Sequence, residues 1–167
     1  MPVNKARGHD ARAAALGEAL RARGWMCATA ESCTGGLVAG AITAIAGSSE
    51  WFERGFVTYS NEAKATMLHV PQATLEAHGA VSEPTARAMA VGALAQSLAH
   101  VAVAITGIAG PGGAVPGKPV GTVCFAWAAR GGAVRVETRL VPGDRAAVRD
   151  TAVAHALDGL IALAKDD

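Results

Sequence analysis

Residues 29–36 read Thr-Ala-Glu-Ser-Cys-Thr-Gly-Gly, and with their flanks they constrain the chain more than any other stretch. A short apolar run, Trp25 to Ala30, leads in, and a helix-compatible run, Leu37 to Ile45, leads out. A strand that turns through small residues into a helix is a building unit of α/β folds. It places Ser32, Cys33 and Thr34 at one point, where helix-start N–H groups can face a ligand. Gly35 and Gly36 let the backbone approach that ligand closely. The same turn also suits a plain capped helix with small packing residues.

The remaining segments continue the alternation. Asp10 to Arg23 reads as a helix stopped by Gly24, and Thr34 to Ala46 as a second helix. A turn over Gly47 to Glu50 precedes a strand over Gly55 to Tyr59. Ser60 or Asn61 caps a short helix to about Leu68, and Pro71 opens another. Ser82 caps Glu83 to Leu98, with Ala86, Met89, Ala90 and Ala93 on one face. Val101 to Ile105 is continuously apolar, as expected of a strand buried on both faces. Thr106 to Pro119 is a Gly-rich loop. Val120 to Ala128 and Ala133 to Val141 form a hairpin around Arg130-Gly131-Gly132, the second strand with one wet face. Asp144 caps a last helix reaching about Ala164. Early αβ alternation with a late hairpin predicts an α/β fold: one mixed sheet with helices on both faces.

Composition narrows the function classes. Apolar residues make up 51% and charged residues 17%, which excludes a disordered chain. The net charge of +1, without a basic run, argues against nucleic-acid binding. No apolar stretch is long and Gly-free enough to span a membrane. Residues 1–9 are polar, lack a signal-peptide apolar region and read as a flexible lead-in to one domain over 10–167. Three cysteines (Cys27, Cys33 and Cys124) without a CxxC spacing suggest reduced thiols and a cytoplasmic protein. The five histidines are scattered, so no metal site is expected.

Other positions invite a chemical reading. Lys64 falls in or beside a helix's first turn, where the helix dipole lowers its pKa and favours a base; a solvated surface lysine is the plain alternative. Tyr59, the only tyrosine, stands at a strand end and can aim its hydroxyl at a ligand or rest half-buried. Thr106, Gly107, Gly110, Gly112 and Gly113 follow the most buried strand, where ligands collect in open α/β sheets. No Gly-Lys-Ser/Thr follows, so this is not a P-loop. Arg145 opens the last helix, which makes sense if a phosphate bridges guanidinium and helix N–H groups. Pairing to Asp144 or Asp150 is the alternative.

Taken in order, Glu31–Gly36, Tyr59-x4-Lys64, Gly79-Ala80-Val81-Ser82, Thr106–Gly113, Pro119–Val123 and Gly143-Asp144-Arg145 resemble the CinA C-terminal domain family. That family includes the bacterial nicotinamide mononucleotide (NMN) deamidases, and the resemblance covers about residues 10–165. It implies a three-layer α/β/α fold, a homo-oligomer (a dimer or larger) and hydrolysis of the NMN carboxamide to nicotinate mononucleotide and ammonia, without a cofactor. It assigns catalysis to Ser32, Lys64 and Tyr59. Substrate binding falls to Cys33, Thr34, Gly35, Gly36, Thr106, Gly107, Gly110, Gly112, Gly113 and Arg145. Many relatives carry a further N-terminal domain related to molybdopterin-binding proteins, which is not expected here. Arg54 departs from a glycine frequent in relatives and is expected to precede its strand, away from the site.

The chemistry implied is an acyl-enzyme route. Lys64, directly or through a neighbouring hydroxyl, takes the Ser32 proton, N–H groups of residues 33–36 hold the oxyanion, and Arg145 with a Gly-rich loop holds the phosphate. Two alternatives stand beside it. Cys33 could be the nucleophile, its thiol pKa lowered by a helix start. The domain could also be a non-catalytic nucleotide-binding module acting with a protein partner.

Overall fold

A computed structural model describes residues 8–166. The first half alternates as expected: α1 (Asp10–Arg23), β1 (Cys27–Glu31), α2 (Leu37–Thr43), a 3-10 turn at Ser48–Glu50, β2 (Phe52–Val57), α3 (Asn61–Leu68), α4 (Gln72–His78) and α5 (Glu83–Ala95). β3 (Val101–Gly107), β4 (Thr122–Ala129), β5 (Val134–Leu140) and α6 (Arg145–Lys165) follow. The five strands form one sheet in the order β2-β1-β3-β4-β5. β2, β1 and β3 run parallel, while β4 pairs antiparallel with both β3 and β5. The sheet is therefore mixed, with helices on both faces, in three layers.

The period-two alternation of the strands divides the core. Val101, Val103 and Ile105 of β3 and Phe125 and Trp127 of β4 pack with α1, α2 and α6. Each such side chain contributes about 1.5–3 kcal/mol on burial. The opposite face is almost all alanine: Ala28, Ala30, Ala102, Ala104, Ala126 and Ala128. Small side chains let the helices of that face approach closely. Gly92 of α5 abuts the Leu68 backbone at the end of α3, and a Cβ there would strike the Leu68 carbonyl oxygen.

Local chemistry sets the helix starts. Ser60, Ser82 and Asp144 accept from the amides of Ala63, Thr85 and Ala147, each three residues on. Boundaries shift where tertiary pairing decides. β1 begins at Cys27, because Trp25 N is held by Leu20 O and Met26 N by His100 Nδ1. α2 begins at Leu37, because Gly35 and Gly36 have φ of +56° and +105°. β2 starts at Phe52 and ends at Val57, so Arg54 lies inside the strand and Tyr59 beyond it. Pairing of Phe52 with Cys27 drives that extension. α5 ends at Ala95, short of Leu98. β3 continues to Gly107, taking Thr106 out of the loop.

β5 is an edge strand with a wet face, where Arg135 lies over Trp127 and Glu137 bonds His155 and Arg139. Of the expected lead-in, residues 1–7 lie outside the described residues, and His9 caps α1 and bonds Asp150. No helix among the described residues is long and apolar enough to cross a membrane.

The parallel core places three strand exits side by side. Ser32 follows β1, Tyr59 lies just past β2, and Thr106 is the penultimate residue of β3.

Candidate active site

Ser32 is fixed between strands, its amide donating to Ile105 O of β3 at 2.9 Å. Lys64 reaches it from α3. That side chain is only 1% exposed, and its Nζ donates to Ser32 Oγ at 3.0 Å and to Thr58 O at 2.9 Å. Lys64 is therefore not a surface lysine. Burial is the main influence on its pKa and lowers it below the ordinary lysine value, with Cys33 acting the other way.

The turn after Ser32 is held by Glu31, whose side chain is wholly buried. Its carboxylate accepts from Thr34 Oγ1 at 2.6 Å, Val38 N at 2.9 Å and Ala39 N at 3.0 Å. Leu37 N donates to Thr34 O and Gly35 N to Ser32 O. The first amides of α2 are thus satisfied internally and do not face a ligand, contrary to expectation. Within the turn, the amides of Cys33, Thr34 and Gly36 donate to no backbone acceptor among the described residues, and the Cys33 amide lies against its own thiol.

Cys33 does not have the lowered thiol pKa that its place before a helix suggested. Burial pushes it up to about 11; its own backbone N–H is the main opposing influence, the Glu31 charge adds to the rise, and Arg149 and Lys64 oppose it more weakly. The helix-start amides that would have favoured a thiolate belong to Glu31 instead.

These groups line a cavity of about 250 Å³ with Tyr59, Ala80, Val81, Thr106, Gly107, Ile108, Ala109, Gly110, Gly112, Gly113 and Arg145. All the residues singled out from the sequence meet there except Thr34, Gly35 and Gly36. Thr34 turns its hydroxyl to Glu31, and the two glycines shape the backbone behind the cavity. Thr106 Oγ1 donates to Ala80 O at 2.7 Å, fastening the 79–82 segment to the end of β3. Arg145 pairs with neither nearby aspartate. It donates to Gly110 O at 2.8 Å and to the Tyr59 hydroxyl at 3.1 Å. Arg54 lines no part of this cavity. A larger cavity of about 450 Å³ between β5 and α6 has no such convergence of polar groups.

Three contributors were not read from the sequence. Glu31 anchors the turn, Thr58 O holds the amine, and Arg149 Nε donates to Cys33 O at 3.1 Å. A charged residue ending an apolar strand is a signal for the first. The i, i+4 spacing of Arg145 and Arg149 is a signal for the third.

A five-stranded mixed α/β/α domain with a buried Ser32–Lys64 pair at its parallel strand exits matches a known family. Residues 9–164 fit the model of the CinA C-terminal domain, and the chain belongs to that family. It is 59% identical over 145 residues to the nicotinamide-nucleotide amidohydrolase PncC of Escherichia coli K12, covering 87% of this chain and 88% of that protein. With the PncC of Pseudomonas putida it shares 53% identity over 148 residues, covering 89% and 92%. A putative competence-damage inducible protein of Symbiobacterium thermophilum is 58% identical, but the chain spans only 35% of its length. The crystal structure of the competence/damage inducible protein CihA from Agrobacterium tumefaciens superposes with a TM-score of 0.89 at 51% identity, covering 92% of this chain and 94% of that one.

Proposed function

We propose that this domain hydrolyses the carboxamide of NMN to nicotinate mononucleotide and ammonia, with Ser32 as nucleophile and Lys64 as base. The buried 3.0 Å contact between Lys64 Nζ and Ser32 Oγ, at the floor of an open cavity, carries the reading. The printed activity of the PncC relatives supports the substrate.

The neutral amine of Lys64 takes the Ser32 proton while Thr58 O orients it. Ser32 Oγ bonds to the carboxamide carbon, and amides of the 33–36 turn receive the oxyanion. As the C–N bond breaks, Lys64 returns the proton and ammonia leaves. Water, deprotonated by Lys64, then attacks the ester carbon; the bond to Ser32 Oγ breaks, Lys64 returns the proton to Ser32 Oγ, and the product acid leaves and ionises to the carboxylate. The scheme uses side chains, backbone amides and water. A cavity of about 250 Å³ is small for a whole ligand, since such sites typically hold about 300–1,000 Å³. The nicotinamide ring would enter it, leaving the phosphate at the rim beside Arg145 and the glycine loop. Tyr59, bonded to Arg145, would steady that end. Cys27, Cys33 and Cys124 are all buried and unpaired, which fits a reducing, cytoplasmic setting. The family's homo-oligomeric state belongs to the same reading, and light scattering would test it.

Ammonia release from NMN by the purified protein tests the proposal, with Ser32→Ala as control. Binding of NMN without turnover would instead favour the non-catalytic nucleotide-binding module.

A further inference from the structure

We infer that Lys118 is a positioning residue that straps the glycine loop to the end of α4 and so sets the phosphate rim of the Ser32 cavity. The inference rests on the NMN reading above, which puts the phosphate beside that loop. Between β3 and β4 the chain carries Gly110, Gly112, Gly113 and Gly117. Glycine loses more conformational freedom on ordering than any other residue, so a loop this rich in it needs ties to hold one shape.

Every residue from Pro111 to Gly117 is exposed. Val115 and Lys118 bond each other's backbone at 3.1 and 2.9 Å, across a tight turn of Pro116 and Gly117 in which Gly117 has φ of +79°. Side chains then fasten both ends of the loop to the domain. At one end Arg145 of α6 donates to Gly110 O at 2.8 Å. At the other, Lys118 Nζ donates to His78 O at 2.7 Å. The second tie is chemically favoured. His78 is the last residue of α4, so its carbonyl is one that the helix leaves unpaired, and a cation suits the negative end of the helix dipole. Lys118 forms no ion pair among the described residues, so no carboxylate competes for its ammonium.

The tie joins two walls of one cavity. Ala80 and Val81, just past α4, line it together with Gly110, Gly112 and Gly113 of the loop. Thr106 Oγ1 already links Ala80 O to the end of β3, and Lys118 adds a link from the far side of the glycines. The amides of Gly112 and Gly113 donate to no backbone acceptor among the described residues, which leaves them for an anion. Lys118 does not itself line the cavity, so it acts on the substrate through the loop.

Lys118→Met and Lys118→Arg test this with two readouts. The first is kcat and KM for ammonia release from NMN and from nicotinamide riboside, which lacks the phosphate. Lys118→Met should raise KM for NMN about 2–10-fold, the range that one hydrogen bond carries, with a much smaller effect on kcat and on the riboside reaction. Lys118→Arg, which keeps a cationic donor, should recover most of the loss. The second readout, independent of NMN, is amide hydrogen exchange of the ligand-free protein. Segment 110–119 should exchange severalfold faster in Lys118→Met than in the wild type, while β4 does not change. Thermal unfolding checks that the variants are folded. A lower Tm with wild-type KM and wild-type loop exchange would make Lys118 a cap of α4 alone and overturn the inference. So would equal losses on NMN and the riboside, which would place its effect away from the phosphate. If the wild type neither binds nor cleaves NMN, faster loop exchange in Lys118→Met, restored in Lys118→Arg, means that the substrate reading fails and the strap stands; unchanged exchange means that both fail.

Discussion

Replacing Lys64 by methionine removes the amine and keeps an unbranched stem in a side-chain site that is 1% exposed. Two effects on stability oppose one another. Thr58 O loses its donor, and an unpaired buried carbonyl costs about 1–3 kcal/mol. Against this, the protein no longer buries an amine. The net change should lie within about 2 kcal/mol, a Tm shift of a few degrees for a domain of this size. The rate effect should be far larger. Losing a general base costs about 10²-fold or more, at least about 2.7 kcal/mol of barrier. The pH dependence separates the two. Burial lowers the Lys64 pKa from the ordinary 10.5, so between the lowered value and 10.5 the unfolded chain binds a proton that the folded chain does not. Wild-type stability should therefore rise with pH inside that window, by about 1.4 kcal/mol per pH unit, and be flat below it. Wild-type kcat should rise as the folded amine loses its proton. Lys64→Met should lack both slopes. The assay is ammonia release across pH, alongside thermal unfolding in the same buffers. An unchanged rate and pH profile would refute the base assignment.

Ser32→Ala should abolish deamidation without unfolding the protein, while Cys33→Ala should retain substantial activity, as read from initial rates. With its thiol near 11, Cys33 should alkylate slowly with iodoacetamide at neutral pH, and rapid labelling would contradict its burial. Arg145→Ala should raise KM for NMN about tenfold and barely alter the weaker reaction with nicotinamide riboside; equal losses on both would remove its phosphate role. Gly92→Ala should lower Tm, because overpacking against the Leu68 backbone costs about 1–3 kcal/mol, whereas an unchanged Tm would mean that α5 can shift freely.

The parts legible in the sequence are those set by local chemistry. Ser82 and Asp144 cap their helices because their side chains reach an amide three residues on. The cavity lining was largely readable because parallel strands deliver their exits to one edge. Strand and helix limits were less legible, since a neighbour sets them: Phe52 and Arg54 belong to β2 only because β1 pairs with them. The burial of Lys64 also lay beyond local pattern, because its partners Ser32 and Thr58 stand just past the ends of β1 and β2. Glu31 reads locally as the polar end of a strand, but its partners lie seven and eight residues on, in the next helix. Arg149 meets Cys33 across 116 positions of chain. No spacing rule covers such a distance.

One physical cause links these features to the choice of nucleophile. Removing water disfavours whichever form of a group is charged. For Lys64 that favours the neutral amine, which can accept a proton. For Cys33 it favours the neutral thiol, which is a poor nucleophile. If Lys64 is the base, the same burial would activate it and disfavour the intrinsically more reactive neighbour. Geometry completes the selection: Lys64 Nζ lies at hydrogen-bond distance from Ser32 Oγ, and no base bonds the Cys33 thiol among the described residues. The Glu31 charge pushes in the same direction, raising the thiol pKa while its carboxylate secures the turn on which Ser32 sits. On the proposed reading, the adjacent serine and cysteine are distinguished less by their own chemistry than by which one the buried lysine reaches.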